Sequence, residues 1–338
     1  MKLTDFDYSL PKELIAQYPL PERDGSRLLS LDKRTGSIEH QTFKSLSSLL
    51  KKGDLLVLND TKVFNARLIG KREGFEGRVE VLLTEKIEDN LYAMLCKPSR
   101  KLKDGTRLIF GDGRLNGKIA GEENGFKLIR FNTNGSLHKE LEKIGKVPLP
   151  PYIKRDTEED DRARYQTVYA KNIGAIAAPT AGLHFTDELL LSLKEKGIET
   201  AYITLHVGFA TFKAVDEEDV TKHKMHKEYY QIEEDVADRV QNAKKEGRRI
   251  IAVGTTTCRT LEAFALSQEL KGWTDIFIYP GYRFKLTDGL ITNFHLPRTT
   301  LLMLVSAFSG RENILRAYNE AIDMHYRFYS YGDCMLII

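Results

Sequence analysis

Four short stretches set glycine, hydroxyl and imidazole side chains directly after an apolar run: APTAGLHFTDELL (178–190), LHVGFATF (205–212), VGTTTCRTLE (253–262) and TNFHLPRTT (292–300). Histidine is the side chain whose ordinary pKa lies closest to neutrality, so His184, His206 and His295 are the candidates for moving a proton. In the first stretch Thr186 can cap a helix DELLLSLKEK that stops at Gly197. The free N–H groups of such a helix start can hold a carboxylate or phosphate, with Thr180, Gly182 and Thr186 forming the wall around it. The third stretch repeats the arrangement, with a helix expected to begin near Arg259 and Thr255, Thr256 and Arg259 facing a ligand. A plainer reading stands beside each: Gly182 makes a turn, the threonines cap, the histidines pack, and Arg259 is solvated. Spacing alone does not choose between them.

HKMHKE (223–228) brings His223, His226 and Glu228 close in sequence, but no cysteine or further histidine lies nearby to complete a tetrahedral set, so no metal is expected. Basic residues alternate with aromatics in KPSRKLKDGTR (97–107), YIKR (152–155), RARYQTVYA (162–170) and YPGYRFK (279–285), the mixture that grips unpaired RNA by phosphate contacts and base stacking. Singly, each is more often a solvated face. There is no GxGxxG, GxxxxGK[ST], GxSxG or HExxH, which removes support from the usual dinucleotide, NTP, hydrolase and zincin readings.

Positioning these loops requires a sizeable fold, and 338 residues exceed what one core usually organises, so two domains or one domain with an insertion is expected. A net charge of +3 excludes a strongly basic nucleic-acid coat. Cys96, Cys258 and Cys334 are odd in number and scattered, which suits a reducing, cytoplasmic setting rather than a disulfide framework. The acidic, proline-broken start MKLTDFDYSLPKELIAQYPL does not read as a signal peptide, and the apolar stretch 301–308 is too short to span a bilayer.

Between about 68 and 145, short alternating segments such as RVEVLL, LYAMLC, RLIF, GKIA and KLIRF recur between turn-rich pieces, the pattern of a small β-barrel or sandwich. We read residues 68–145 as an inserted β domain, and 1–67 with 146–338 as the main domain. There, GAIAAP (174–179), IETAYITL (198–205), RIIAVGT (249–255) and DIFIYP (275–280) are expected strands between helices. These predict an α/β fold with a mostly parallel or mixed sheet flanked by helices.

Longer blocks then carry a resemblance. DYSLPKELIAQYPLPERDGSRLL (7–29), GDLLVLNDTKVFNARL (53–68), VPLPPYIKR (147–155), RYQTVYA (164–170), APTAGLHFT (178–186), RIIAVGTTTCRTLE (249–262), TNFHLPRTTLLMLVSAF (292–308) and YRFYSYGDCMLI (326–337) closely resemble, end to end, the S-adenosylmethionine:tRNA ribosyltransferase-isomerase family of the queuosine pathway. Small departures include Phe209 and Ala210 and Cys258 after the threonines.

The resemblance implies an α/β body carrying a β-barrel. It also implies transfer and isomerisation of the ribosyl group of S-adenosylmethionine, a cosubstrate rather than a bound cofactor, onto 7-aminomethyl-7-deazaguanine at the tRNA wobble position, giving epoxyqueuosine, adenine and methionine. Such chemistry needs a general base and acid, for which His184 and His206 are the candidates and His295 the alternative. The junctions at 180–187 and 254–260 would take the methionine carboxylate or ribose, with Arg259 pairing to the carboxylate. Asn59, Asp60 and Arg67 would line the cleft where the domains join, and Lys97, Arg100, Lys101 and Arg155 would contact tRNA in a protein working as a monomer. Two rivals are a tRNA methyltransferase, disfavoured by the missing glycine-rich loop, and a non-catalytic RNA-binding protein.

Overall fold

A computed structural model describes residues 1–133, 135–208, 215 and 217–338. The first strands are β1 (Arg27–Leu31), β2 (Ile38–Thr42), β3 (Leu55–Asn59) and β4 (Thr61–Val63). Six more follow, β5 (Arg67–Arg72), β6 (Arg78–Glu88), β7 (Leu91–Lys97), β8 (Arg107–Phe110), β9 (Leu115–Glu123) and β10 (Phe126–Asn132), and close into a barrel in the order β10-β7-β6-β5-β8-β9. Alternation drives the closure. In β9, Leu115, Gly117 and Ile119 point inward while Asn116, Lys118 and Ala120 face solvent, so each strand can bury only one face.

The remaining strands are β11 (Asn172–Ala175), β12 (Glu199–Leu205), β13 (Glu228–Gln231), β14 (Ile250–Val253), β15 (Lys271–Thr274), β16 (Gly289–Asn293) and β17 (Cys334–Ile337). With β1 to β3 they build a nine-stranded mixed sheet, β15-β13-β12-β3-β14-β16-β17-β1-β2. Its centre, β12-β3-β14-β16, is parallel. Three of these strands, β3, β14 and β16, read LLVLN, IIAV and GLITN, buried at every position, because both faces are covered. Helices α1 (Leu46–Leu49), α2 (Leu137–Ile144), α3 (Asp161–Arg164), α4 (Asp187–Glu195), α5 (Glu234–Lys245), α6 (Thr255–Ser267), α7 (Thr300–Ser309) and α8 (Arg311–Asp323) complete the described elements. One large core under α5 to α8 and a second beneath α1 and α4 sandwich the sheet, which matches the expected fold class.

Three elements differ from the expectation. DIFIYP is a loop: the edge strand is the preceding KGWT, antiparallel to β13, and 275–280 is apolar because Ile278 and its neighbours cover the core. GAIAAP pairs only through Asn172–Ala175, with β4 and outside the main sheet. Helix α6 starts at Thr255, a full turn before Arg259, because Gly254 adopts φ 91° and turns the chain straight from strand to helix, a conformation costly for any residue with a Cβ.

Candidate active site

The carboxyl ends of the four parallel central strands lie on one edge, where ligands gather in open α/β sheets. His206 follows β12, Asp60 follows β3, Gly254 follows β14, and His295 lies two residues past β16. Asn59 ties these ends together. Its Nδ2 donates to the Leu205 carbonyl at 3.0 Å and to Thr256 Oγ1 at 3.4 Å, and its Oδ1 accepts from the Thr61 and Leu205 N–H groups.

Three of the glycine and hydroxyl junctions converge on one crevice, walled by Pro179 and Thr180, by Gly254, Thr255 and Thr256, and by Asn293 and His295. Tyr152, Tyr165, Tyr329 and Ser330 complete it. Tyr165 lies in RYQTVYA, and Tyr329 and Ser330 in YRFYSYGDC, segments whose local spacing carries no sign that they meet the strand ends. Inside, Asn293 Oδ1 and the Tyr165 hydroxyl are buried without a hydrogen-bond partner among the described residues, a cost that a polar ligand would relieve. The crevice measures about 60 Å³, room for one small polar group but not for a nucleoside.

Val207 also borders a second cleft of about 400 Å³, within the range of a ligand site. One wall is His206, Glu228, Tyr229 and Trp273; the other, Phe64, Tyr92, Phe126 and His138, comes from the barrel and its flanking segments. The strand-end loops thus serve two adjoining spaces.

The three histidines have different surroundings. His184 lies outside the crevice, 5% exposed, with Nδ1 at 2.7 Å from Ser26 Oγ and Nε2 at 3.2 Å from Asn293 Nδ2. Asn293 Nδ2 also donates to the Tyr329 carbonyl, so it must be the amide nitrogen, and His184 Nε2 accepts. Burial, aided by the charges of Arg327 and Arg23, pushes His184 down to about 4. His295 borders the crevice but its Nε2 is bonded to Thr292 Oγ1 at 2.8 Å, and burial lowers it to about 3.

His206 differs. Its Nδ1 lies 2.8 Å from Thr61 Oγ1, whose hydroxyl also reaches the Asn172 carbonyl at 3.5 Å, and its Nε2 has no partner among the described residues. With the Thr61 proton directed to Asn172, Nδ1–H donates to Thr61 and Nε2 carries the lone pair. Burial lowers the His206 pKa and the Asp60 carboxylate opposes that lowering. Asp60 is itself fixed by Thr204 Oγ1 at 2.6 Å and Asn172 Nδ2 at 3.0 Å. Residues 209–212 of the LHVGFATF stretch, including Phe209 and Ala210, lie outside the described residues.

The two helix starts are not equivalent. Thr186 caps α4, accepting from the Leu189 N–H at 3.1 Å, but Asp187 and Glu188 already fill its first turn with negative charge. Gly182 is away from the crevice wall, packed so closely on Tyr169 and Thr167 that a Cβ would collide with them. Helix α6 has no acid in its first turn and starts at the crevice wall, so its free N–H groups are the ones electrostatically suited to an anion. Arg259 does not point at those groups: it is 4% exposed and paired with Glu228, and it donates to the Ile276 carbonyl.

Arg67 and Arg155 meet at a third cavity of about 420 Å³ beside Pro148–Pro151, where Arg67 pairs with Glu80 at 2.6 Å. Arg155 is held by both carboxylate oxygens of Asp161 at 2.7 Å and covers the Tyr18 ring, so its charge is neutralised in place. Lys97, Arg100 and Lys101 are exposed on the barrel, with no ion pair among the described residues. Among the described residues no group of three ligating side chains could hold a metal; His223 packs edge-on to Phe277 and His226 borders the second cleft. Among the described residues no helix is long and apolar enough to cross a membrane.

This geometry defines an α/β protein whose parallel strand ends line a crevice that shares Val207 with an aromatic cleft, the latter lined in part by a six-stranded barrel. The family model described as "Queuosine biosynthesis protein" matches residues 3–337, and the chain belongs to that family. Proteins named S-adenosylmethionine:tRNA ribosyltransferase-isomerase are 52% identical in Halothermothrix orenii and 53% in Caldanaerobacter subterraneus, each matched over 100% of both chains. A crystal structure titled S-adenosylmethionine tRNA ribosyltransferase, from Thermotoga maritima, is 38% identical with a TM-score of 0.57, covering 99% of this chain and 100% of that one.

Proposed function

We propose that the protein is an S-adenosylmethionine:tRNA ribosyltransferase-isomerase, acting on 7-aminomethyl-7-deazaguanine in the tRNA anticodon and releasing adenine and methionine. Family membership and the relatives' names support this reading. The observation that carries it in the geometry is the pair of adjoining spaces with His206 at the edge of the larger one. The donor's polar end fits the crevice, where the N-terminus of α6, Thr180, Thr255 and Thr256 meet a carboxylate or ribose hydroxyls. The nucleoside and the acceptor base share the cleft.

His206 Nε2 is the general base in this scheme. The sulfonium acidifies the ribose 5′ carbon; the base removes that proton, the ring opens and adenine departs. The aminomethyl nitrogen then adds to C4′ of the resulting vinyl sulfonium and loses a proton, the regenerated C5′ carbanion bonds to the C1′ aldehyde left by adenine departure, and the C1′ oxyanion closes the epoxide by displacing methionine from C5′. His184 and His295 are positioning residues: both ring nitrogens of His184 are bonded, to Ser26 and Asn293, and His295 is buried, bonded through Nε2 to Thr292, and away from the larger cleft. Asp60 and Asn59 hold His206 and the strand ends, Arg259 acts through Glu228, and Gly182 and Thr186 shape the turn. Lys97, Arg100 and Lys101 contact tRNA phosphates, with Arg67 and Arg155 as framework. We assign residues 68–145 to a barrel domain and the rest to the catalytic domain of a cytoplasmic monomer.

The test uses precursor tRNA with donor labelled either in the ribose or in the methyl group. Ribose label should enter RNA with one adenine and one methionine released per event, and His206→Asn should lower turnover by about 10²-fold or more with folding intact. Methyl label in RNA would establish the methyltransferase alternative, and full turnover by the variant would remove His206 from the base role.

A further inference from the structure

Trp273 is 57% exposed although it sits in a sheet, on the edge strand β15. An exposed apolar side chain on an open edge invites unwanted pairing unless something covers it. It is also not isolated. Trp273 is the direct cross-strand neighbour of Tyr229, with ring centroids 5.6 Å apart, and Tyr229 stacks on His206 at 6.5 Å and 21°. Three rings therefore run outward from the end of β12 across β13 to the sheet edge, along one wall of the 400 Å³ cleft.

The opposite wall is aromatic too, with Phe64 set edge-on to His138 at 5.6 Å. His138 Nδ1 is buried with no hydrogen-bond partner among the described residues, so a directed polar group is available in the aromatic lining of the cleft. The rim is cationic: the stretch KHKMHK (222–227) holds three lysines, two histidines and no acid, and its His226 and Lys227 border the cleft. Of the two acids that line the cleft, Glu228 is paired with Arg259, and Glu85 is outnumbered by Lys86 and Lys227. Aromatic faces, a free edge-reading group and a cationic rim suit an unpaired nucleobase with its phosphate rather than an apolar peptide.

We propose that Trp273, backed by Tyr229, is a stacking platform for an unpaired base of the RNA, adjacent to the nucleotide that reaches His206. This rests on the reading of the substrate as RNA. The platform holds the strand at the cleft mouth and takes no part in proton transfer.

Trp273 is the only tryptophan in the chain, so its fluorescence reports on this one position. A tRNA-derived hairpin with an unpaired loop should quench the emission with the same midpoint that filter retention gives for binding. Trp273→Ala should weaken that binding by about 5- to 150-fold, the range expected for one base–aromatic stack, and Trp273→Phe should restore part of it. In turnover, the Ala variant should raise KM for RNA with little change in kcat and none in KM for the donor. Unchanged emission at RNA concentrations that saturate filter retention, or unaltered affinity of Trp273→Ala, overturns the platform alone. No retention of RNA by the wild-type protein overturns the platform and the RNA-substrate reading together.

Discussion

Glu262→Gln probes what holds α6, and with it the helix start at the crevice wall, against the rest of the body. Glu262 is fully buried on α6 and its carboxylate accepts five hydrogen bonds from a single loop. Oε1 takes the Leu286 and Thr287 N–H groups at 3.1 and 2.9 Å and the Thr287 hydroxyl at 2.9 Å; Oε2 takes the Lys285 N–H at 2.7 Å and the Tyr282 hydroxyl at 3.1 Å. Glutamine keeps the shape but turns one oxygen into a donor. Its less costly orientation puts the amide nitrogen at the Oε2 position, where the Tyr282 hydroxyl can rotate to accept but the Lys285 N–H cannot. One buried donor left unsatisfied costs about 1–3 kcal/mol, and the remaining bonds lose the strengthening that a charged acceptor gives. We expect a destabilisation of about 2–5 kcal/mol, read as a lower urea midpoint with an unchanged slope. Glu262 borders none of the three cavities described, so turnover measured well below the unfolding transition should persist. A loss of stability under about 1 kcal/mol would refute the claim that this carboxylate is the loop's hydrogen-bonding hub.

Three further outcomes concern His206 and the basic side chains. Because the Asp60 carboxylate raises the His206 pKa against the lowering by burial, Asp60→Asn should lower it further. The neutral imidazole then survives to more acidic pH, so the acidic limb of the kcat profile should move to lower pH; a shift upward or none would separate His206 from that limb. Replacing Lys97, Arg100 or Lys101 by Ala should each flatten the dependence of log affinity on log salt by about 0.7–0.9, measured by RNA binding at several ionic strengths. Arg155→Ala should leave that slope unchanged and lower stability, because its charge belongs to Asp161.

YPGYRFK (279–285) shows how a local pattern misleads. Its alternation of rings and cations reads as an RNA surface, yet Tyr279, Tyr282 and Phe284 pack on the core and the following backbone wraps Glu262. The exposed ring beside the cleft is instead Trp273, in KGWT, which has no motif around it. Similarly, all three histidine junctions look alike in sequence, but both ring nitrogens of His184 are bonded, to Ser26 and Asn293, His295 is bonded through Nε2 to Thr292, and of the three only His206 borders the larger cleft.

By itself the sequence determined the elements and their chemistry: fully apolar LLVLN and IIAV demand a doubly covered sheet, alternation between 68 and 132 demands a one-sided barrel wall, and Gly254 with its threonines marks a strand-to-helix turn. These are properties of a few consecutive residues, set by side-chain period and backbone sterics. Only the tertiary structure decided which junctions adjoin, because the order β12-β3-β14-β16 follows packing rather than chain order. It also decided that Arg259 answers Glu228, 31 residues away, and that Tyr152, Tyr165 and Tyr329 meet at the crevice. Burial and pairing at such separations depend on the summed packing of the whole core, which no local spacing encodes.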